Sequence, residues 1–560
     1  MKKRYIFPLI LAAVITLSGC SLSGTSSSDS LPAETSETSE KTSEESAVKD
    51  AAPTLSSSDM FTNNDIEIGY DEETSAKIIL SGDTAACDSD AVEISGSTVT
   101  IKDEGTYILS GKLDNGMITV NAEKTDKVRL VLNGTKINSA TSAAVYVAQA
   151  DKVFITTVSG SENTLSNGGE YVAIDDNNID AVIYSKDDMT LNGAGTLTIN
   201  AAAGHGVVSK DDLVLTSGTY DITAASHGLY GKDSVRISNG AYTIKSEKDG
   251  IQAENSDDAE KGFIYITGGS FNITANGDGI SSSAYLTIED GDFDISTGEG
   301  SESVTMPTET FGPRGGFGTE TTTSETTDTV SRKGIKTDGA LNVSGGSFKT
   351  DTEDDAFHAN GNILISSGCF DIKAGDDAVH SDADVTIKQG AFNISYCYEG
   401  IEGQTITVED GEFDITAHDD GFNAAGGADS SGFGGGFPGD RFSGSSDCSI
   451  TINGGTFVIV SDGDCIDSNG ALTINGGKLN LTCNGNGNTA LDCDGTYSNN
   501  GGDITTNDGS ESNPGQMGGG MGHGGMDRPD GINGGMGRPG GMERPDDMDS
   551  NFNPGGMGRR

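Results

Sequence analysis

Acidic side chains recur at one phase of this sequence. Asp249, Asp278, Asp355, Asp377, Glu399, Asp420 and Asp464 each stand seven residues after an apolar anchor, and Gly, Ala or Cys follows each of them. Three of these places double the acid, as Asp354-Asp355, Asp376-Asp377 and Asp419-Asp420. Turn chemistry accounts for Asp before Gly, because Asp tolerates a left-handed backbone and bonds its own main chain. It accounts less well for Asp355-Ala356 and Asp377-Ala378. If successive repeats stack as strands, equivalent carboxylates come about 4.8 Å apart. Like charges so close repel by about 1 kcal/mol in water, and by several times that at an effective dielectric of about 20. Ca²⁺ offers compensation. It takes oxygen ligands at about 2.3–2.6 Å, so two oxygens on opposite sides of one ion are about 4.6–5.2 Å apart. Mg²⁺, at about 2.1 Å and reluctant to dehydrate, fits that spacing less well. The expected metal ligands are therefore Asp249, Asp278, Asp354, Asp355, Asp376, Asp377, Glu399, Asp419, Asp420 and Asp464.

Other polar residues fall near this file. His358 and His380 lie ten residues after successive anchors, expected to face outward beside Asp382 and Glu402. They are candidate ligand-binding residues, with solvated surface histidine as the plainer reading. His205 and His227 lie at or beside the acid positions of two earlier repeats. Tyr396 and Tyr398, close to an acidic turn, are candidates for stacking on a ligand or for packing under a neighbouring insertion. A second series reads Lys186-Asp187-Asp188, Lys210-Asp211-Asp212 and Lys232-Asp233-Ser234. No G-x-S-x-G, H-E-x-x-H or P-loop pattern occurs, so no catalytic residue is assigned.

The elements that must position these residues are repeats. The pattern apolar-x-apolar-x-x-Gly-x-aromatic-x-Ile appears as LVLTSGTYDI at 213, VRISNGAYTI at 235 and IYITGGSFNI at 264, and it continues to LTINGGKLNL at 472. The anchors are Tyr220, Tyr242, Phe271, Phe293, Phe348, Phe370, Phe392, Phe413, Phe457 and Leu479, mostly 21 or 22 residues apart. Alternating apolar and polar residues rich in β-branched types make strands, and the recurring Gly two residues before each anchor marks a turn with positive φ. Roughly 22 residues in three short strands is one coil of a parallel β-helix; a propeller blade needs about 40. The fold class expected is all-β, a right-handed parallel β-helix over residues 60–507. Residues 60–200 repeat less cleanly and include its cap. Insertions fall near 296–333 and 426–447, and both ends of the chain should be disordered.

The chain has 560 residues, 86 acids against 34 bases and a net charge of −52. That balance excludes a nucleic-acid binder, which needs clustered Lys and Arg. At the N-terminus, Lys2, Lys3 and Arg4 precede a short apolar run from Tyr5 to Leu17, and Leu17-Ser18-Gly19-Cys20 then reads as a lipobox. Residues 1–19 are the expected signal peptide and Cys20 the expected lipidation site. Residues 20–59 form a Ser/Thr/Glu tether, so the protein would be exported and lipid-anchored to the outer face of a bacterial membrane. Residues 508–560 are rich in Gly and Met, with His523 among them, and their spaced thioethers suit a soft ion such as Cu(I) as well as they suit low-complexity drift. Eight cysteines leave seven after lipidation, with oxidation of a pair such as Cys483 and Cys493 open in an exported chain.

Several passages resemble a bacterial family of exported β-helix carbohydrate-binding domains known from cellulolytic clostridia. They include EGTYILSGKLDNGMITVNA at 104, KVRLVLNGTKI at 127, AVIYSKDDMTLNGAGTLTI at 181 and GVVSKDDLVLTSGTYDITAASHGLYGKDSVRI at 206. The resemblance implies a right-handed β-helix like that of pectate lyases, calcium binding, and recognition of cell-wall polysaccharide such as polygalacturonate or cellulose. The function expected is calcium-dependent polysaccharide binding by a monomeric surface lipoprotein. A calcium-dependent polysaccharide lyase is the alternative, with Lys248 or Lys373 as its base. A spacer or adhesin without a glycan ligand is the third reading.

Overall fold

Alternation builds the strands as expected. In Ala241–Ser246, Tyr242, Ile244 and Ser246 point inward, and Ala241, Thr243 and Lys245 point to solvent. One coil is Ser234–Ile237, Ala241–Ser246 and Ile251–Ala253. These strands pair in parallel with Phe263–Ile266, Ser270–Ala275 and Ile280–Ser282 of the next coil. Repetition of this triplet gives three parallel faces around one core, a β-helix. In the early coils the single strands Gly105–Leu113 and Lys127–Ser139 run through two faces, so those faces form one 30-stranded sheet among the described residues, while the third face is a 15-stranded sheet. Antiparallel hairpins, Ala76–Gly82 with Thr84–Ala86 and Val92–Ser95 with Thr98–Ile101, open the stack.

This computed structural model describes residues 53, 56–306, 330–425, 447–485 and 487–514. The expected signal peptide, Cys20, most of the tether, most of both insertions and the tail beyond residue 514 lie outside the described residues. No helix among the described residues is long and apolar enough to cross a membrane.

The anchors form an internal ladder. From Tyr220 to Phe457 successive rings stack with centroids 4.4–5.2 Å apart and planes within 9° of parallel. Such pairs contribute about 0.5–1.5 kcal/mol each beyond their burial. The turn glycines have positive φ, for example 137° at Gly240. The anchor ring supplies a second reason for glycine there, because a Cβ on Gly240 would lie 2.6 Å from the Tyr242 hydroxyl oxygen.

A strap crosses the outside of the first face. It contains two helical turns, Ser57–Met60 and Asn63–Ile66. Phe61 packs on Tyr265 at 6.1 Å. Asp65 is buried, paired with Lys152 at 2.8 Å and accepting from Thr190 Oγ1 at 2.5 Å. Arg129 and Arg236 donate to the Glu67 and Met60 carbonyls at 2.9 and 3.1 Å. The helical turn Ser57–Met60 thus lies just before the expected boundary at 60.

Cys483 and Cys493 are not bonded to each other. Cys483 ends the strand Lys478–Cys483 with its side chain buried, while Cys493 Sγ turns onto the Gly470 carbonyl at 3.1 Å.

Candidate functional site

The acids fall on the turn from the second face to the third. Backbone bonds fix their register: Gly250 N donates to Asp278 O at 2.9 Å, Ala356 N to Asp377 O at 2.9 Å, Ala378 N to Glu399 O at 3.0 Å, Gly400 N to Asp420 O at 2.9 Å and Gly421 N to Asp464 O at 2.9 Å. Asp249, Asp278, Asp355, Asp377, Glu399, Asp420 and Asp464 therefore stand in one file. Lys333 occupies the rung between Asp278 and Asp355. The insertion before it hides that register in the sequence.

Most of these acids have a backbone task. The Asp278 amide donates to Asp249 Oδ1 at 2.9 Å and the Lys333 amide to Asp278 Oδ1 at 2.8 Å. The Asp377 amide donates to Asp355 Oδ1 at 3.0 Å, the Glu399 amide to Asp377 Oδ1 at 3.1 Å and the Asp464 amide to Asp420 Oδ1 at 2.6 Å. Each such acid satisfies the turn amide of the next coil, which explains why it persists before Ala. One oxygen is spent in this way and the other remains for side-chain chemistry.

A second file runs beside the first, three residues later on the third face. Its register is Lys336, His358, His380, Glu402, Asn423 and Asp467. Sequence reading missed this file as a unit, although acid-x-x-His at 355–358 and 377–380 carries its signal.

On the N-terminal side lysines meet the acids. Lys336 Nζ lies 3.8 Å from Asp278 Oδ2, while at Asp249 the backbone amide donates to His227 Nδ1 at 3.2 Å. Lys333 Nζ bonds Asp354 Oδ1 at 2.8 Å and Asp355 Oδ2 at 2.5 Å. Asp354, Asp355 and Asp376 could together ligate an ion, but the Lys333 ammonium already sits on two of them. Burial alone would raise the Asp355 carboxyl; Lys333 and then His358 outweigh it and hold it well below the usual carboxylate range.

His358 and His380 face away from the core, with Asp382 and Glu402 on His380 as expected, but at 5% and 1% exposure they are not solvated, which corrects the surface-histidine reading. Their rings stack at 5.0 Å. Asp355 and Asp377 fold back to meet their Nδ1 atoms at 2.8 and 3.1 Å, and Asn360 and Asp382 cover the Nε2 atoms at 3.0 and 3.3 Å.

Tyr398 replaces the first acid in the coil between the doubled pairs, so Asp376-Asp377 and Asp419-Asp420 are not in adjacent coils. Its amide donates to Asp376 O and its carbonyl accepts from Asp419 N. Burial first, then the Asp419 charge and hydrogen bond, push the Tyr398 hydroxyl well up. Tyr396 meets His418 edge-on at 4.9 Å.

On the C-terminal side the balance differs. The described bases between 377 and 514 are Lys388 and Lys478, and among the described residues no lysine or arginine pairs with Glu399, Asp420, Asp464, Asp467 or Asp492. Burial first, then neighbouring carboxylates, push Glu399 and Asp420 well above the ordinary range. The same causes take Asp464 up to about 8 and Asp467 to about 7. Oxygens of Asp464, Asp467 and Asp492 lie within 4.8 Å of one another. Asn423, the register partner of Asp467, donates through Nδ2 to both Glu399 oxygens at 3.1 and 2.9 Å, while its Oδ1 is buried without a hydrogen-bond partner. Half-buried, mutually repelling, all-oxygen donors are the set a hard cation takes. Asp467, Asp492 and Asn423 were not among the expected ligands.

The Lys-Asp series lies on another edge, where the third face returns to the first. There burial and then Asp233 push Asp211 up to about 7, and Lys261 pairs with Asp233 at 2.5 Å. His205 and His227 stack at 5.0 Å on the N-terminal side.

A family profile described as carbohydrate-binding domain-containing protein matches residues 95–378 and 376–518. The chain is similar to a carbohydrate-binding domain-containing protein of Acetivibrio thermocellus, 38% identical over 155 residues, which are 27% of this chain and 54% of that protein. It thus spans about half the length of that relative. It is also similar to a solved structure, a polysaccharide lyase-like protein from C. thermocellum in a gadolinium derivative. That match has 32% identity and a TM-score of 0.41, over 48% of this chain and 97% of that one.

Proposed function

This chain belongs to the carbohydrate-binding domain-containing protein family, and from that premise we propose that it binds an acidic cell-wall polysaccharide through calcium held on the C-terminal half of the acid face. The observation that carries this reading is the all-oxygen cluster of Asp464, Asp467 and Asp492, with the unpartnered Asn423 Oδ1 on the neighbouring coil. Asp464, Asp467 and Asp492 would ligate Ca²⁺, with Asp420 and Glu399 adding to the field. Ligand positions left open on the ion would accept a uronate carboxylate, which lets a chain of net charge −52 hold an anionic glycan. Polygalacturonate is the first candidate and cellulose the second. The lipobox at Cys20 supports a membrane-tethered, surface-exposed protein.

The lyase alternative needs a free base beside the metal. Lys373 pairs with Glu302 at 3.4 Å, and Lys248 stands next to Asp249, many coils from the Asp464 cluster, which favours binding over cleavage.

The test is retention on immobilised polygalacturonate with Ca²⁺ or chelator, for the native chain and for Asp464→Asn with Asp467→Asn. Retention should require calcium and fall at least tenfold in the double variant. Undiminished retention in chelator would place the glycan off the calcium cluster. Ultraviolet absorbance from unsaturated product would establish a lyase instead.

A further inference from the structure

We propose that Asp377, His380 and Glu402 form a site for a borderline divalent cation of the Zn²⁺ class, separate from the calcium cluster. His380 Nδ1 lies 3.1 Å from Asp377 Oδ2 and 2.5 Å from Glu402 Oε2. The donor atoms of these three residues lie within 4.8 Å of one another. The other ring nitrogen, Nε2, lies 3.3 Å from Asp382 Oδ1. An ionised carboxylate only accepts, so Nε2 carries a proton. Burial opposes charge on this ring, but Asp377, Asp382 and Glu402 outweigh it and push His380 well up, so without an ion Nδ1 carries a proton between the two carboxylates. A cation among the three atoms would take the place of that proton, with the Nδ1 lone pair turned to the ion. The Asp382–His380 contact is the outer-shell arrangement that fixes the tautomer of a metal-bound histidine.

The neighbouring coil shows that the geometry is not a by-product of the repeat. His358 Nδ1 meets Asp355 Oδ2 at 2.8 Å, but Lys333 neutralises that oxygen and the group at Nε2 is the neutral Asn360. Two carboxylates and an imidazole converge one coil later, at His380. Ligands bound to one ion at about 2.0–2.2 Å stand about 3–3.5 Å from each other; the Asp377–His380 separation is of that size, and the Glu402 carboxylate, at 2.5 Å from Nδ1, would have to draw back to admit the ion. Imidazole with carboxylate selects Zn²⁺ and its transition-metal neighbours, whereas Ca²⁺ takes oxygen. Entry is available, because the Glu402 and Asp382 side chains are 20% and 24% exposed while Asp377 and His380 are buried. Asp377 keeps Oδ2 for the ion, since Oδ1 already accepts from the Glu399 amide.

The test uses the full chain, stripped with chelator and resupplied with saturating Ca²⁺, then titrated with Co²⁺ as a coloured stand-in for Zn²⁺. A visible d–d band saturating at one Co²⁺ per chain is expected, displaced by Zn²⁺ and untouched by further Ca²⁺. His380→Gln and Glu402→Gln should each weaken Co²⁺ at least tenfold. Asp464→Asn and His523→Ala should leave the band unchanged, which excludes the calcium cluster and the C-terminal tail. If His380→Gln does not fold by circular dichroism, the variant Glu402→Gln, at the more exposed of the two positions, carries the test alone. No band, or a band that survives the folded variants, would overturn the proposal and leave His380 as a buried imidazolium between carboxylates.

Discussion

On the N-terminal half of the acid face, Lys333 and Lys336 bring positive nitrogen to Asp278, Asp354 and Asp355. On the C-terminal half, Glu399, Asp420 and Asp464 share the same turn geometry, Asp467 and Asp492 stand beside them, and no lysine or arginine among the described residues meets any of the five. The carboxylate-to-amide ladder runs through both halves, so stacking acids on this turn does not itself require an ion. What differs is the counter-charge: one half carries it in the chain, and the other leaves room for it to come from outside.

The sharpest way to break the contrast is to convert one half into the other. Lys333→Met strands Asp355, which is fully buried, and should cost about 3–5 kcal/mol in chelator, read by urea denaturation. Part of that loss should return with Ca²⁺, because the change leaves Asp354, Asp355 and Asp376 as a second oxygen cluster. A loss below 1 kcal/mol would mean that Lys333 is not the counter-ion. Next in size is calcium itself. At about 100 times its Kd, an ion that binds only the folded chain adds about 2.7 kcal/mol. Asp464→Asn with Asp467→Asn should remove most of that gain, whereas Asp249→Asn should remove little; equal effects would erase the distinction between the halves.

Titration sharpens it further. In chelator the folded chain keeps protons on Asp464 and Asp467, raised to about 8 and about 7, that the unfolded chain gives up near the ordinary value of about 3.9. Folding therefore takes up protons in this window, and the C-terminal coils lose stability as pH rises from about 4 to about 8. Asp355 is held low, so its coil loses stability only as pH falls below the ordinary carboxylate range. Amide exchange, corrected for intrinsic rates, should show opposite pH trends in coils around 449–483 and around 347–359, and calcium should flatten the first. The smallest effect is the control. Lys349 and Asp294 pair at 3.0 Å with side chains 65% and 50% exposed, and Lys349→Ala should change stability by less than about 0.5 kcal/mol.

Much of this was legible in the sequence. The anchor period specified the ring ladder, and the glycines before Tyr242 and Phe392 specified their turns, because both needs repeat in every coil. The acid file was legible for the same reason. Lys333 was not, since the insertion before it breaks the count and a lysine at an acid's position reads as noise. The burial of His358 and His380 was also hidden, because it depends on Asp355 and Asp377 folding back across a turn. Asp467 and Asn423 were missed because the second file changes residue type at almost every rung, and only stacking makes it a column.

The strap has a mechanical meaning. From Met60 to Glu67 it is pinned to Arg129, Lys152, Thr190, Thr216, Arg236 and Tyr265, on six successive coils of the first face. Tension arriving through the preceding chain would enter the β-helix at its flank. The load would be shared in shear by bonds to several coils at once, instead of peeling the first coil from the end of the stack.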